Sequence, residues 1–268
     1  MQWEYIIKSA ERLDMDVSLV FQEEVQKTVL TALSRKELFN SLVFQGGTAL
    51  RLFYGNPRFS EDLDFVTVDN KNADVLIDDR DHIRDFVWDS YPFLSEVNIR
   101  VQKDDELKRL VLKTGSDNRD QNLRIHMEVF NVPSYDNGPK ILDHRPFYPS
   151  VRVESKEEIL CDKMVALLGR DYVKGRDLWD VHFLVQERDV SVEWELVLKK
   201  LEDYGLEDIK AEVASKRCKD KGADILDNEM KRFLPKTVYG AYRERFDDVV
   251  GLSCKLLDTF SRRLRTSN

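Results

Sequence analysis

Long apolar runs are missing from this chain. No stretch approaches the ~20 residues of a membrane span, and Met1-Gln2-Trp3-Glu4-Tyr5 lacks the order of a signal peptide. The expectation is a cytoplasmic chain with no membrane partner. Cysteine is scarce: Cys161, Cys218 and Cys254 are odd in number and scattered, which suits a reducing compartment. They form no Cys-x-x-Cys pair, so a zinc site is not expected. Repeats, low-complexity stretches and a Pro- or Gly-rich linker are also absent. Positive charge is short as well. A net charge of −8 and a pI near 5.2 exclude a general nucleic-acid-coating surface. Basic clusters at Lys216-Arg217, Lys231-Arg232 and Arg262-Arg263 lie in the C-terminal third and fit solvated helix surface, or one basic face.

What is present is a chain of 268 residues, 42% hydrophobic and 34% charged. That length buries one large core or two modest ones and favours two domains. Val17, Val20, Phe21, Val25, Val29 and Leu33 recur at helical spacing over residues 16 to 37, predicting an amphipathic helix. Residues 42 to 45 read as a short buried strand, followed by a helix from Thr48 to Tyr54 that Gly55-Asn56-Pro57 breaks. Residues 62 to 68 read as a strand, and residues 72 to 91 as a helix with Ile77, Ile83, Phe86 and Val87 inward. Strands are expected at 97 to 103, 107 to 114 and 121 to 130. The last alternates Asn122, Arg124, His126 and Glu128 with Leu123, Ile125, Met127 and Val129. Residues 131 to 150 read as a loop. Beyond about 155 strand signals vanish, which predicts an α+β domain over 1 to 150 and a helical domain over 151 to 268.

The chemistry-bearing segment is 46 to 65. Gly46-Gly47-Thr48 opens a helix, whose unpaired N–H groups and dipole favour an anion such as phosphate. Thr48 can add a hydroxyl, or serve only as a helix cap. Asp62 and Asp64 alternate with Leu63 and Phe65, so a strand here presents both acids on one face. Two hard oxygen ligands beside a phosphate cradle suit a Mg²⁺ (or Mn²⁺) nucleotide site. A calcium loop fits poorly, because Phe65-Val66-Thr67 supplies neither a third ligand nor the loop glycine. Ser60 falls two residues before Asp62 and can bind phosphate, accept a modification, or sit in a turn.

Gly46-Gly47-Thr48, then Arg58-Phe59-Ser60-Glu61 and Asp62-Leu63-Asp64-Phe65, resembles the first motif of the AbiEii/AbiGii toxin family, related to the DNA polymerase β superfamily. The wider superfamily has Gly-Ser, about ten residues and Asp-x-Asp. Here Thr48 replaces Ser and the spacer is longer, as in the toxin-like branch. The resemblance spans about residues 35 to 190. It implies a nucleotidyltransferase fold, a mixed sheet with flanking helices, completed by a helical C-terminal domain. It also implies a third carboxylate on a neighbouring strand, for which Glu128 is chosen on the polar face it shares with His126. Lys163 is a charge within an apolar helical stretch. The family carries a matching Lys, followed by a basic-Arg-Asp-x-x-Asp element that here is Lys174-Gly175-Arg176-Asp177-Leu178-Trp179-Asp180.

The site implied has Asp62, Asp64 and Glu128 as metal ligands, and Gly46, Gly47, Thr48, Ser60 and Arg176 as nucleotide-binding residues. Lys163 neutralises phosphate, while Asp177 or Asp180 orients Lys163 or deprotonates the acceptor. An N-cap and an i,i+3 ion pair is the structural alternative for those aspartates. The implied function is transfer of a nucleoside monophosphate from an NTP to an acceptor hydroxyl, with RNA such as a tRNA 3′ end as acceptor. The implied role is the toxin of a pair with a cognate antitoxin protein. Transfer to a small molecule or protein side chain, or a non-catalytic binding module on the same fold, are the other readings.

Overall fold

The computed structural model describes residues 2–68, 73–206 and 209–267, and the chain divides into two compact units. The first comprises residues 1–55 and 59–154, the second 56–58 and 155–268. The three residues Asn56–Arg58 thus belong to the second unit although first-unit residues flank them on both sides.

The first unit is built on a mixed sheet. Its strands are β1 (Leu42–Gln45), β2 (Leu63–Thr67), β3 (Glu96–Asp104), β4 (Leu107–Gly115), β5 (Arg124–Pro133), β6 (Asn137–Ile141) and β7 (Ser150–Glu154). Among the described residues they form one seven-stranded sheet in the order β3-β4-β5-β2-β1-β7-β6. Strand β2 runs antiparallel to β1 and parallel to β5, and β1 runs parallel to β7. All four residues of β1 are buried, as a central strand covered on both faces requires. Strand β5 alternates as its sequence predicts, with Ile125, Met127 and Val129 in the core, but it begins at Arg124 rather than 121, where a 3-10 turn (Arg119–Gln121) stands instead.

The helices of this unit are α1 (Trp3–Leu13), α2 (Val17–Arg35), α3 (Gly46–Tyr54), α4 (Val75–Asp78) and α5 (Arg80–Ser90). Helix α2 starts where the Asp16 carboxylate accepts from the Ser18 N–H. It is buried well beyond its apolar stripe: Gln22, Gln26, Thr28 and Thr31 are buried alongside Val25 and Val29. An amphipathic pattern assigns such polar positions to solvent, and here tertiary packing overrides it. Helix α3 ends at Gly55, whose φ of 77° is the left-handed conformation glycine supplies at a helix C-terminus.

Two expectations are corrected. The helix over 72 to 91 is broken at Asp79 into α4 and α5, Leu76 rather than Ile77 is buried, and Phe86 is only half-buried; its expected start at residue 72 lies outside the described residues. The segment 131 to 150 holds the end of β5 and all of β6. Strand β6 lies at the sheet edge, mostly exposed and carrying Pro139, so its composition is that of a loop.

The second unit is helical: α6 (Lys156–Gly169), α7 (Gly175–His182), α8 (Trp194–Asp203), α9 (Ala211–Phe233), α10 (Lys236–Tyr242) and α11 (Phe246–Ser267), with a π-helical turn at Phe183–Glu187. Ser155 caps α6 by accepting from the Glu158 N–H. The three cysteines are free and buried, and burial pushes the Cys161 and Cys218 thiols up to about 12. No helix among the described residues is long and apolar enough to cross a membrane.

Candidate active site

In the first unit the residues singled out by sequence meet at the centre of the sheet. Gly46 leaves β1 with φ of 79°, and a Cβ there would lie 2.6 Å from Asp64 Oδ2. Only glycine satisfies both the backbone conformation and that close approach. Gly46, Gly47 and Thr48 form the first turn of α3 and are buried. Asp64 pairs across the sheet with Gln45 on one side and Glu128 on the other. Directly opposed residues share a face, so Asp64 and Glu128 stand together while Phe65 and Val129 enter the core.

Asp62 falls just before β2, in a segment without regular structure. Its carboxylate is a third exposed, and its Oδ1 lies 3.0 Å from His126 Nδ1. Thr48 is buried and its hydroxyl donates to the Asp62 carbonyl at 2.5 Å. That proton is committed to the chain, so a phosphate at the start of α3 would be met by backbone N–H groups rather than by it. The Ser60 carbonyl accepts from Gln26. Glu128 opposes Arg109 of β4, whose Nε lies 2.6 Å from Glu128 Oε1 as an ion pair rather than an aligned hydrogen bond.

Asp62 and Asp64 are the hard oxygen donors a divalent cation takes. Glu128 has the right chemistry and register, but its carboxylate is engaged by Arg109. Among the described residues no three His, Cys, Asp or Glu side chains are gathered as a metal cage. The donor set fits a magnesium or manganese ion through the two aspartates, with Glu128 a ligand only once released from Arg109.

In the second unit the charged side chains around Asp177 and Asp180 form a largely buried network that reaches solvent at Arg170. Lys163 of α6 donates to Asp177 Oδ1 and Asp180 Oδ2 of α7, each at 2.9 Å. Arg58 donates to Asp180 through Nε at 2.9 Å and through its terminal nitrogen at 2.7 Å, a two-pronged clamp on a carboxylate. Asn56 adds a third donor to Asp180 at 2.9 Å and accepts from the Trp179 ring N–H at 3.0 Å. Arg170 pairs with Asp177. Arg58 and Asp180 are completely buried.

Burial alone would raise the Asp180 carboxyl, but Arg58 and Lys163 hold it below the usual carboxylate range. Asp177 is likewise pushed up by burial and pulled further down by Lys163 and Arg170. Burial works against charge on Lys163, and the two aspartates more than restore it, so this lysine stays protonated.

Arg176, expected among nucleotide-binding residues, is engaged within the second unit. Its guanidinium lies over Phe233 and its Nε is 3.5 Å from Glu229 Oε2. The Glu229 carboxylate also accepts from the backbone N–H groups of Gly175 and Arg176. Gly175 is required for this packing, since a Cβ would meet the backbone of Ile225 and Leu226 within 3 Å.

Sequence reasoning missed Asn56, Arg58 and Arg170 as partners of the aspartates, and Gln22 and Gln26 beneath the Asp62 segment. Arg58 was visible as a motif residue, but its partner is 122 positions away. The two glutamines stand one helical turn apart, but Glu23, Glu24 and Lys27 beside them make that stretch read as an ordinary polar helix face.

No curated protein matches this chain. Among solved structures, a candidate nucleotidyltransferase from H. pylori is 19% identical with a TM-score of 0.55, over 93% of this chain and 99% of that one. The protein JHP933 from Helicobacter pylori is 20% identical with a TM-score of 0.51, over 94% and 98%. At these identities the likeness carries the fold: an α+β nucleotidyltransferase architecture. The family profile described as nucleotidyl transferase AbiEii toxin, type IV TA system, matches residues 28–251. That span is most of the chain, which therefore belongs to the AbiEii family of nucleotidyl transferase toxins.

Proposed function

We propose that this protein is a divalent-metal-dependent nucleotidyltransferase that moves a nucleoside monophosphate from an NTP onto an acceptor hydroxyl. RNA, such as a tRNA 3′ end, is the proposed acceptor, and the biological role is that of a toxin held in check by a cognate antitoxin. The observation that carries this reading is the approach of Asp64 to Gly46, which sets a carboxylate against the start of α3. An acceptor oxygen forms a bond to the α-phosphorus, the bond from that phosphorus to the bridging oxygen breaks, and pyrophosphate leaves with that oxygen.

Asp62 and Asp64 would hold the magnesium ion, which supplies neutralisation of phosphate charge when bound. The backbone N–H groups at the start of α3 would bind phosphate oxygens. Lys163 is the candidate for neutralising phosphate charge, but it is engaged by both Asp177 and Asp180 and would serve only once released from one of them. Asp177 and Asp180 orient that lysine rather than deprotonate the acceptor, because ion-paired carboxylates with lowered proton affinity are weak bases. The hydroxyl proton passes to solvent.

The net charge of −8 supports a second reading, with a small molecule or a protein side chain as acceptor. Incubating the purified chain with each α-labelled NTP, total RNA and magnesium separates the two. Label in RNA that disappears with EDTA supports the first reading. Label confined to protein or small molecules supports the second, and transfer unchanged without divalent metal overturns metal dependence.

A further inference from the structure

The segment Ser60-Glu61-Asp62 belongs to no helix or strand, yet each of its three carbonyls is held by a side chain. Gln26 Nε2 donates to the Ser60 carbonyl at 3.0 Å, Gln22 Nε2 to the Glu61 carbonyl at 2.8 Å, and Thr48 Oγ1 to the Asp62 carbonyl at 2.5 Å. Carbonyls only accept, so it is the amide nitrogen of each glutamine that faces the segment. Gln22 uses the same nitrogen on the Arg124 carbonyl at 3.4 Å. Arg124 opens β5, the strand that carries His126 and Glu128. One amide therefore ties together the two stretches of chain that bear Asp62 and Glu128.

Both glutamines are buried, Gln26 almost completely. Burying a primary amide is unfavourable unless its N–H groups find partners, and neither side chain contributes apolar packing that Leu or Met would not supply better. Their chemistry is matched to the backbone they face. Both lie outside the span that the family profile matches, which begins at residue 28.

We propose that Gln22 and Gln26 of α2 are positioning residues. They fix the backbone of 60–62, and with it the Asp62 carboxylate that lies 3.0 Å from His126, and they register the segment against β5. This rests on the nucleotidyl-transfer reading for its catalytic consequence, though not for its structural one. A displacement of about 1 Å in a catalytic group can cost about 100-fold in rate.

The test uses the full chain with Gln22→Met, Gln26→Met and the double variant, which keep side-chain length and remove the donors. Thermal melting checks that each variant folds. Manganese affinity by electron paramagnetic resonance, kcat and KM for NTP-dependent transfer, and amide exchange across residues 60–64 are the readouts. The double variant is expected to lose about 10- to 100-fold in kcat with KM changed less than about threefold. It should bind Mn²⁺ more weakly and exchange faster within 60–64 than elsewhere in the first unit. A folded double variant with unchanged kcat, Mn²⁺ affinity and exchange overturns the proposal. If the wild-type chain neither binds Mn²⁺ nor transfers nucleotide, the functional reading fails, and exchange at 60–64 still decides whether the glutamines position the segment.

Discussion

Asp62 and Glu128 of the first unit and Asp177 and Asp180 of the second are all paired, but the pairing has opposite character. Asp62 meets His126 and Glu128 meets Arg109, each at one partner and partly open to solvent. Asp177 and Asp180 each meet two cations, and Asp180 also an amide donor, with essentially no exposure. A pair that keeps some access to solvent contributes less and is more readily exchanged for another partner. A buried carboxylate with several donors is costly to strand by removing one of them. The first arrangement suits groups that must take up a ligand, the second suits groups that hold geometry.

Exchanging the roles experimentally should expose this difference. The largest effect is expected from Asp62→Ala or Asp64→Ala: transfer falls roughly a thousandfold while the melting temperature changes by no more than about 2 °C. Initial rates with labelled NTP and a thermal melt measure both. A large drop in stability would erase the contrast between the units.

Next comes Arg58→Met, which leaves Asp180 buried with Lys163 and Asn56 alone. Urea unfolding should show a loss of about 3–5 kcal/mol. A loss below about 1 kcal/mol would mean that the second network is as exchangeable as the first.

Acid should act on the same network. Folding lowers the proton affinity of Asp177 and Asp180, so their contribution is fully present above the unfolded carboxylate pKa of about 3.9 and fades as pH drops below it. Unfolding midpoints between pH 5 and 2.5 should fall in that window for the wild type and less steeply for Asp180→Asn. The smallest effect belongs to Glu128→Gln, expected to cost about 0–1 kcal/mol in the same urea assay.

How much of this was legible in the sequence follows the range of each interaction. The approach of Asp64 to Gly46 joins residues within twenty positions of each other, a range over which the motif spacing is readable. The polar face of β5 was readable because one side of that strand is buried. Strand β6 was hidden because an edge strand needs no apolar pattern. The Arg58 clamp escaped because its aspartate is remote in the chain. Gln22 and Gln26 escaped because periodicity sends polar residues outward, whereas here backbone carbonyls receive them.

The placement of Asn56, Pro57 and Arg58 has a consequence for modularity. A fragment ending at Glu154 would retain Arg58 and Asn56 but lose Asp180 and Trp179, and the complementary fragment would keep an aspartate without its guanidinium. No single cut releases two self-sufficient halves. Shuffling either half onto another protein requires carrying a tripeptide from the other, which favours joint inheritance of the two over recombination between them.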